Sequence, residues 1–557
     1  MAETINPLAG KPAPASILID VDKLLAAYAD EPDPGIAAQR VAFGTSGHRG
    51  TSLDRSFNAW HVLAITHAIC DFRRSRQIDG PLFIGFDTHA LSRPAFDSSL
   101  EVLAANDIVT LIASGDEFTP TPALSLAIVN HPRGRAAHLA VGVVITPSHN
   151  PPDSGGFKYN PTHGGPADTA STAWIEKQAN AYLENRLAGV RRVPVGQARD
   201  APTTRTFDFL GRYVADLGQV VDFDAIRSAS IRMGVDPLGG AGVHYWARVA
   251  ERYRIDLDVV SEEVDPRFAF MSADWDGRIR MDPSSAFAMQ RLIGLKDRYD
   301  VAFACDTDHD RHGVVAPSVG LMPSNDYLSV LADLLFATRD CWPLQAALGK
   351  TVVSTALLDR VAARFGRSIY DAPVGFKWFA PGLLAGELGF ACEESAGASM
   401  LRRDGSAWTT DKDGIVAALL SAEMTARDGR DPGQMYRALS EELGKPYSGR
   451  IQVAADARQR KSIGALTAAD LHVDELAGDK VTAVLDRAPA NGAPIGGIRV
   501  SSASGWVAVR PSGTEDIYKI YAESFRDERH LRDLLGAAQR IVDDALNQAG
   551  QNSAVGD

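Results

Sequence analysis

The hexapeptide Thr146-Pro147-Ser148-His149-Asn150-Pro151 sets a serine between two prolines, directly after the apolar run Leu139 to Ile145. Proline fixes φ and lacks a backbone donor, so this serine sits in a stiffened loop at a strand exit. A hydroxyl with so little freedom left to lose suits a covalent phosphoryl carrier. Taken alone, the motif equally describes a Pro-rich turn whose serine bonds its own backbone.

A second loop, Asp306-Thr307-Asp308-His309-Asp310-Arg311, follows the buried-type strand Val301 to Ala304. Carboxylates at alternate positions of one loop can converge on a divalent cation, and hard oxygen donors suit Mg²⁺. An EF-hand would need glycine at the sixth loop position and an acid at the twelfth, where Arg311 and Pro317 stand. Metal binding outweighs a merely solvated acidic loop here.

Three further segments carry polar chemistry. Gly375-Phe376-Lys377 and Cys392-Glu393-Glu394-Ser395-Ala396-Gly397 bracket a helix-like apolar stretch. The two acids and the serine could bond sugar hydroxyls, or could equally be a helix start with its cap. Arg510-Pro511-Ser512-Gly513-Thr514 falls in a tight turn between two strands, where a guanidinium, hydroxyls and backbone N–H groups can cradle a phosphate. Gly44-Thr45-Ser46-Gly47-His48-Arg49-Gly50 resembles a phosphate loop in composition but lacks the Walker A and dinucleotide patterns.

Positioning these loops requires regular elements. Leu82 to Phe86 precedes a helical pattern over Pro94 to Asn106; Ile231 to Val235 precedes one ending at Tyr253; Thr351 to Val353 precedes one ending at Phe365. Strand, loop, helix is the βαβ order, with ligands expected at strand C-termini. The order recurs in residues 41–200, 201–318 and 319–425, which predicts three related α/β domains. Residues 1–40 form an N-terminal extension with one amphipathic helix near Val21 to Tyr28. After a loop-like link at Asp428 to Gly433, residues 434–557 alternate as antiparallel strands (Gly497 to Ser501, Trp506 to Arg510, Ile517 to Ser524). They end in a long helix from Glu528 to Gln548, a small α+β domain.

Composition bounds the rest. The 557 residues are 45% hydrophobic and 23% charged, ordinary for a soluble multidomain enzyme. A net charge of −13 argues against nucleic acid or an acidic membrane surface as partner. The four cysteines show no paired spacing, and no run reaches the length of a membrane span, so a cytoplasmic location is expected.

Together and in this order, GTSGHRG, TPSHNP, DTDHDR, GFK, CEESAG, DKDG and RPSGTE resemble the α-D-phosphohexomutase superfamily, in particular its branch acting on α-glucose phosphates. The resemblance runs from about Val41 to the C-terminal region. It implies three similar mixed α/β domains plus a C-terminal α+β domain of TATA-binding-protein-like fold around a central cleft. It implies Ser148 as the phosphoserine and Asp306, Asp308 and Asp310 as ligands of Mg²⁺, with Ser148 contributing a phosphate oxygen. Glu393 and Ser395, with Gly375 and Lys377, would contact the sugar; Arg311, Arg510, Ser512, Gly513, Thr514 and Lys519 would bind substrate phosphate. Lys412, in Asp411-Lys412-Asp413-Gly414, matches the general-base position, and Arg49 and Lys158 would support the transferring phosphate. His149 belongs to the catalytic loop; in an extended backbone it would point away from the serine and is not cast as its base.

The implied reaction interconverts α-D-glucose 1-phosphate and glucose 6-phosphate, with glucose 1,6-bisphosphate as intermediate and activator. The implied partner is a small phosphosugar, with the chain a monomer or homodimer. Thr307 and His309 stand where many relatives have glycine and are expected to be neutral to ligation. Lys519 stands where some relatives have arginine, which forgoes a bidentate grip. The Glu-Glu-Ser loop favours glucose over mannose or glucosamine. A mutase for those sugars, a non-catalytic phosphoprotein and a simple phosphatase are the rival readings.

Overall fold

Four β-sheets follow one another along the chain. The computed structural model describes residues 5–44, 47–131, 137–471, 473–512 and 516–554, with side chains as far as 546. The first sheet holds β1 (Phe43–Gly44), β2 (Gly47–Gly50), β3 (Leu82–Phe86), β4 (Thr110–Ala113), β5 (Val141–Ile145), β6 (Gly155–Asn160) and β7 (Thr204–Phe207), in the order β1-β2-β6-β5-β3-β4-β7. The second holds β8 (Arg232–Asp236), β9 (Asp256–Val259), β10 (Val301–Cys305), β11 (His312–Ala316) and β12 (Gly320–Leu321), ordered β12-β11-β10-β8-β9. The third holds β13 (Ala347–Thr351), β14 (Ile369–Ala372), β15 (Leu388–Glu393) and β16 (Gly397–Met400), ordered β14-β13-β15-β16.

These three sheets share one plan. Apolar strands pair in parallel (β5 with β3, β10 with β8, β15 with β13), as expected for strands covered by helices on both faces. Each then turns back through a short loop into an antiparallel neighbour: β5 into β6, β10 into β11, β15 into β16. The fourth sheet is antiparallel throughout: β17 (Tyr447–Ala454), β18 (Glu475–Leu476), β19 (Asp479–Arg487), β20 (Pro494–Ser502), β21 (Gly505–Pro511) and β22 (Ile517–Ser524), backed by the helix Glu528–Ala554.

Two boundaries differ from the sequence reading. Strand β7 lies beyond residue 200 yet pairs in parallel with β4, so the first domain reaches at least Phe207. The segment Asp428 to Gly433, expected as a loose link, is a helix junction. Helix Gly414–Asp428 ends at the left-handed Gly429, and Asp431 starts helix Pro432–Leu443 with a reciprocal capping box. Asp431 also accepts from the Ser318 N–H at 3.0 Å and its hydroxyl at 2.7 Å. Residues 434–443 therefore pack with the third domain's helices, and the link to the fourth is 444–446. An Asp-Pro-Gly run reads as a turn, but Asp at the cap with Pro at the first helical position is also a start signal.

One apolar cluster runs across the first three domains, from Phe83 through Val235 and Leu328 to Leu439, beside a separate core of the first domain around Leu82, Ile84 and Phe96, and the fourth domain builds its own around Val500, Ile520 and Leu534. A buried ion pair, Arg339–Glu423 at 2.8 Å, joins two helices of the third domain. Both side chains also reach the second domain, at the Val220 carbonyl and the Asp222 N–H. The extension forms helix Val21–Ala27 where expected, with Leu24 in the first domain's core. Among the described residues no helix is long and apolar enough to cross a membrane.

Candidate active site

The serine loop is the turn from β5 to β6. Its first residue, Thr146, gives its hydroxyl to Asp87 at 2.6 Å and receives the Ser148 N–H at 2.8 Å. Asp87 is itself held by Ser92 and by the His89 N–H, so the loop rests on a fixed carboxylate at the end of β3. A side chain at Gly156 would meet the Thr146 carbonyl at 2.1 Å, which explains the glycine beneath the loop. Ser148 is fully buried and donates to Asp306 Oδ2 at 2.6 Å. Its φ is +57°, a left-handed conformation that proline-flanked serine does not announce. The backbone is therefore not extended there, and His149 Nδ1 lies 3.5 Å from Ser148 Oγ instead of pointing away. Burial, with Arg311 and Arg49 adding to it, pushes the His149 imidazole down to about 3.

The acidic loop is the turn from β10 to β11. Asp306, Asp308 and Asp310 are buried and offer oxygens that lie within 4.8 Å of one another. Burial and the charges of Asp308 and Asp310 push the Asp306 carboxyl well above the usual range. Asp308 Oδ1 and Asp310 Oδ1 are buried without a hydrogen-bond partner. Three mutually repelling carboxylates with spare buried oxygens are the donor set that a hard divalent cation satisfies. The spacers are not inert: the Thr307 hydroxyl bonds the Ser148 carbonyl, and His309 Nε2 accepts from Trp246 at 3.3 Å.

Cations close around these acids. Lys158, on β6, reaches Asp308 at 2.6 Å and Asp310 at 3.1 Å, and these carboxylates outweigh burial to hold its ammonium above the usual range. Lys412, just before helix Gly414–Asp428, reaches Asp310 at 3.0 Å; burial opposes its charge, but Asp310, Asp411 and Glu393 hold it up. The Arg311 N–H bonds Asp306 at 3.0 Å, and Arg49 bonds Asn150 of the serine loop at 3.0 Å. Lys377 bonds Thr169 at 2.8 Å across to the first domain. Lys158, Lys377 and Lys412, with Gly47, Asn160 and Asp411, line one shallow recess. Three lysines in one recess of an acidic protein make a site for an anion.

The third loop, β15 to β16, lies beside this recess. Glu393 accepts the Gly375 N–H at 2.9 Å, which joins the two sugar-loop motifs. Gly397 faces Lys412 so closely that a Cβ would meet its Cδ at 2.2 Å. Arg311 bridges to Gly397, so the acidic and sugar loops are zipped together. Ser395 is half-buried at the tip.

The fourth loop joins β21 and β22. Arg510 and Lys519 are direct cross-strand partners. Arg510 Nε donates to the Ile495 carbonyl at 3.0 Å, and the Ser512 N–H bonds the Ile517 carbonyl at 2.9 Å. Tyr521, pushed up to about 12 by burial and then by Glu394, also feels Arg450 and Arg510, so this sheet faces the sugar loop. Gly513 and Thr514 lie outside the described residues, as do Thr45 and Ser46.

Sequence reasoning did not single out Thr121, whose hydroxyl bonds Asp308 at 2.5 Å, nor the supporting roles of Asp87, Asp411 and Asn160. Asp87 carried a signal, an acid at the exit of an apolar strand. Thr121 carried none.

Profiles of the phosphoglucomutase/phosphomannomutase α/β/α domains I, II and III match residues 40–186, 211–319 and 323–443, and the profile of that family's C-terminal domain matches 471–539. A phosphoglucomutase of Komagataeibacter xylinus is 53% identical over 552 residues, covering 99% of this chain and 100% of that protein. Among solved structures, pp63/parafusin, a phosphoglucomutase from Paramecium in an open form, superposes with a TM-score of 0.71 at 18% identity, covering 93% of this chain and 96% of that one. A phosphoglucomutase/phosphomannomutase family protein from Burkholderia thailandensis gives 0.67 at 18% identity, with 90% and 97% covered. With four successive domains matched and every described loop of the site at a corresponding turn of its sheet, the chain belongs to the phosphoglucomutase/phosphomannomutase family of the α-D-phosphohexomutase superfamily.

Proposed function

We propose that this enzyme interconverts α-D-glucose 1-phosphate and glucose 6-phosphate, with Ser148 as phosphoryl carrier. The observation that carries the reading is the meeting of the Ser148 hydroxyl, the three carboxylates and the three-lysine recess at one point. The full-length phosphoglucomutase relative supports the choice of reaction.

Phosphoserine 148 gives its phosphoryl group to the free hydroxyl of the bound monophosphate: the Oγ–P bond breaks and a sugar O–P bond forms, giving glucose 1,6-bisphosphate. The hydroxyl proton passes to a base; Lys412 stands beside the sugar loop, but Asp310, Asp411 and Glu393 hold it protonated, so it takes that part only after giving up its own proton to solvent. The bisphosphate turns end for end, and its other phosphoryl group returns to Oγ while the proton returns to the new hydroxyl. Lys158 and Arg49 hold the transferring group; Glu393, Ser395, Gly375 and Lys377 hold the sugar. Arg311, Arg510, Ser512, Gly513, Thr514 and Lys519 bind substrate phosphate, with the β21–β22 loop taking the group that is not reacting. Preorganised charge of this kind carries most of phosphoryl-transfer catalysis.

We assign Mg²⁺ to Asp306, Asp308 and Asp310, because these are hard oxygen donors with spare buried lone pairs. When bound it would offset charge on the transferring phosphoryl group. The test compares initial rates on glucose 1-phosphate, mannose 1-phosphate and glucosamine 1-phosphate, each primed with its bisphosphate. Glucose 1-phosphate should be turned over at least about tenfold faster, since a site built for one set of hydroxyls leaves polar groups unpaired with another. A higher rate on either other sugar overturns the assignment.

A further inference from the structure

Before the first domain begins, the chain crosses to the second. Residues 6–13 run as a turn-rich strap, with one bridge at Pro12, along a tight hairpin of the second domain in which Ala273 bridges Ile279 and Gly277 makes the turn at φ +82°. The Asn6 N–H bonds the Trp275 carbonyl at 2.8 Å, Gly10 bonds Ala273 at 2.8 Å, and Ala273 returns a bond to the Lys11 carbonyl at 2.9 Å. The Ala13 N–H bonds the Met271 carbonyl at 3.1 Å, and Pro12 bridges Ser272. Ala13, Ile17 and Leu18 then pack on the cluster of Phe268, Met271, Ile279 and Met281. Immediately afterwards the chain is tied to the first domain: Leu24 enters that core, and its carbonyl takes the Ser52 hydroxyl at 2.6 Å.

The far side of the same hairpin touches the serine loop. The Met281 N–H bonds the His149 carbonyl at 3.3 Å, and Arg278 reaches both oxygens of Asp153 at 3.2 Å. The arrangement has three layers, with strap, hairpin and serine loop in contact in that order. It spans the seam where Ser148 meets Asp306.

We propose that residues 6–18 are an intramolecular brace, positioning Ser148 against the acidic loop by holding the 271–282 hairpin from behind. Four main-chain hydrogen bonds and the Pro12 bridge fasten the strap to the hairpin. Prolines 7, 12 and 14 reduce the freedom lost on docking. The proposal rests on Ser148 as the phosphoryl carrier, and it makes these residues positioning residues, since none touches substrate.

The experiment removes residues 2–12, leaving Ile17 and Leu18 to cover the cluster, and measures kcat, KM for glucose 1-phosphate and hydrogen exchange over 147–153. A displaced nucleophile costs rate, so kcat should fall at least about tenfold. KM should stay within about twofold, because the sugar and distal-phosphate loops lie in the third and fourth domains. Exchange over 147–153 should quicken, and a synthetic peptide of residues 1–18 should restore part of kcat. Should the deletion not fold, Gly10→Val loosens the strap alone, since φ +74° is closed to a β-branched residue. Unchanged kcat, or unchanged exchange over 147–153, in a folded variant overturns the brace. Failure of the full-length enzyme on glucose 1-phosphate would overturn the substrate reading, while the exchange result still decides the brace.

Discussion

Ser148 spends its hydroxyl on Asp306 at 2.6 Å and its carbonyl on Thr307, so the proposed nucleophile and the acidic loop form one unit. Ser148→Ala should therefore lower turnover at least about a thousandfold, as loss of a nucleophile does. Intact-mass measurement after incubation with glucose 1,6-bisphosphate should show one added phosphoryl group on the native enzyme and none on the variant. Wild-type turnover in the variant would remove Ser148 from the mechanism. Asp308→Asn replaces a charged donor by an amide and also weakens the hold on Lys158. The Mg²⁺ concentration for half-maximal rate should rise at least about tenfold, read from a titration after chelation. These residues were legible because each motif is short and local. Thr121 was not, since it meets Asp308 across 187 positions, and the turn of His149 toward Ser148 depends on a left-handed φ that no residue type specified.

The serine, acidic and sugar loops are the same element three times over: the return from a buried parallel strand into its antiparallel neighbour. The phosphate loop of the fourth sheet is again a hairpin turn. Strand–loop–helix order could be read from apolar runs bounded by polar turns, which is why the three α/β blocks emerged from sequence. The antiparallel return could not, because β6, β11 and β16 are as buried as the strands they pair with and show no alternation. The helix Pro432–Leu443 was hidden for another reason, since its start signal doubles as a turn signal. Asp431→Ala removes both its cap and the anchor of Ser318, and should lower unfolding free energy by about 1–2 kcal/mol in urea titration. No change would mean that this junction is as loose as its sequence suggested.

At the scale of the whole molecule, the fourth domain docks on the third through Val352, Val353, Ile495 and Trp506, flanked by Arg499–Asp371 at 3.1 Å. Its link at 444–446 is short, and phosphate held by Arg510, as proposed above, would draw the domain toward the sugar loop. Arg510→Ala removes one charge-assisted contact, which should cost about 1.5–3 kcal/mol, or roughly 10- to 100-fold in KM for glucose 1-phosphate. Ser148 should still accept phosphate from concentrated glucose 1,6-bisphosphate. A fall in kcat with KM unchanged would place Arg510 in the chemical step instead.

The apolar core shared by three domains also bears on how the chain is made. The cluster that starts at Phe83 is complete only once Leu439 has left the ribosome, and at about 5–20 residues per second that wait is on the order of tens of seconds. Until the later domains arrive, the nascent first domain carries an unfinished apolar flank around Phe83, Leu124 and Val144, a surface that holdase chaperones bind. Ribosome-stalled chains ending near residue 320 should stay protease-sensitive, whereas chains stalled beyond residue 480 should turn resistant in one step. Gradual resistance, domain by domain, would mean that each α/β unit closes its own interior before the next arrives.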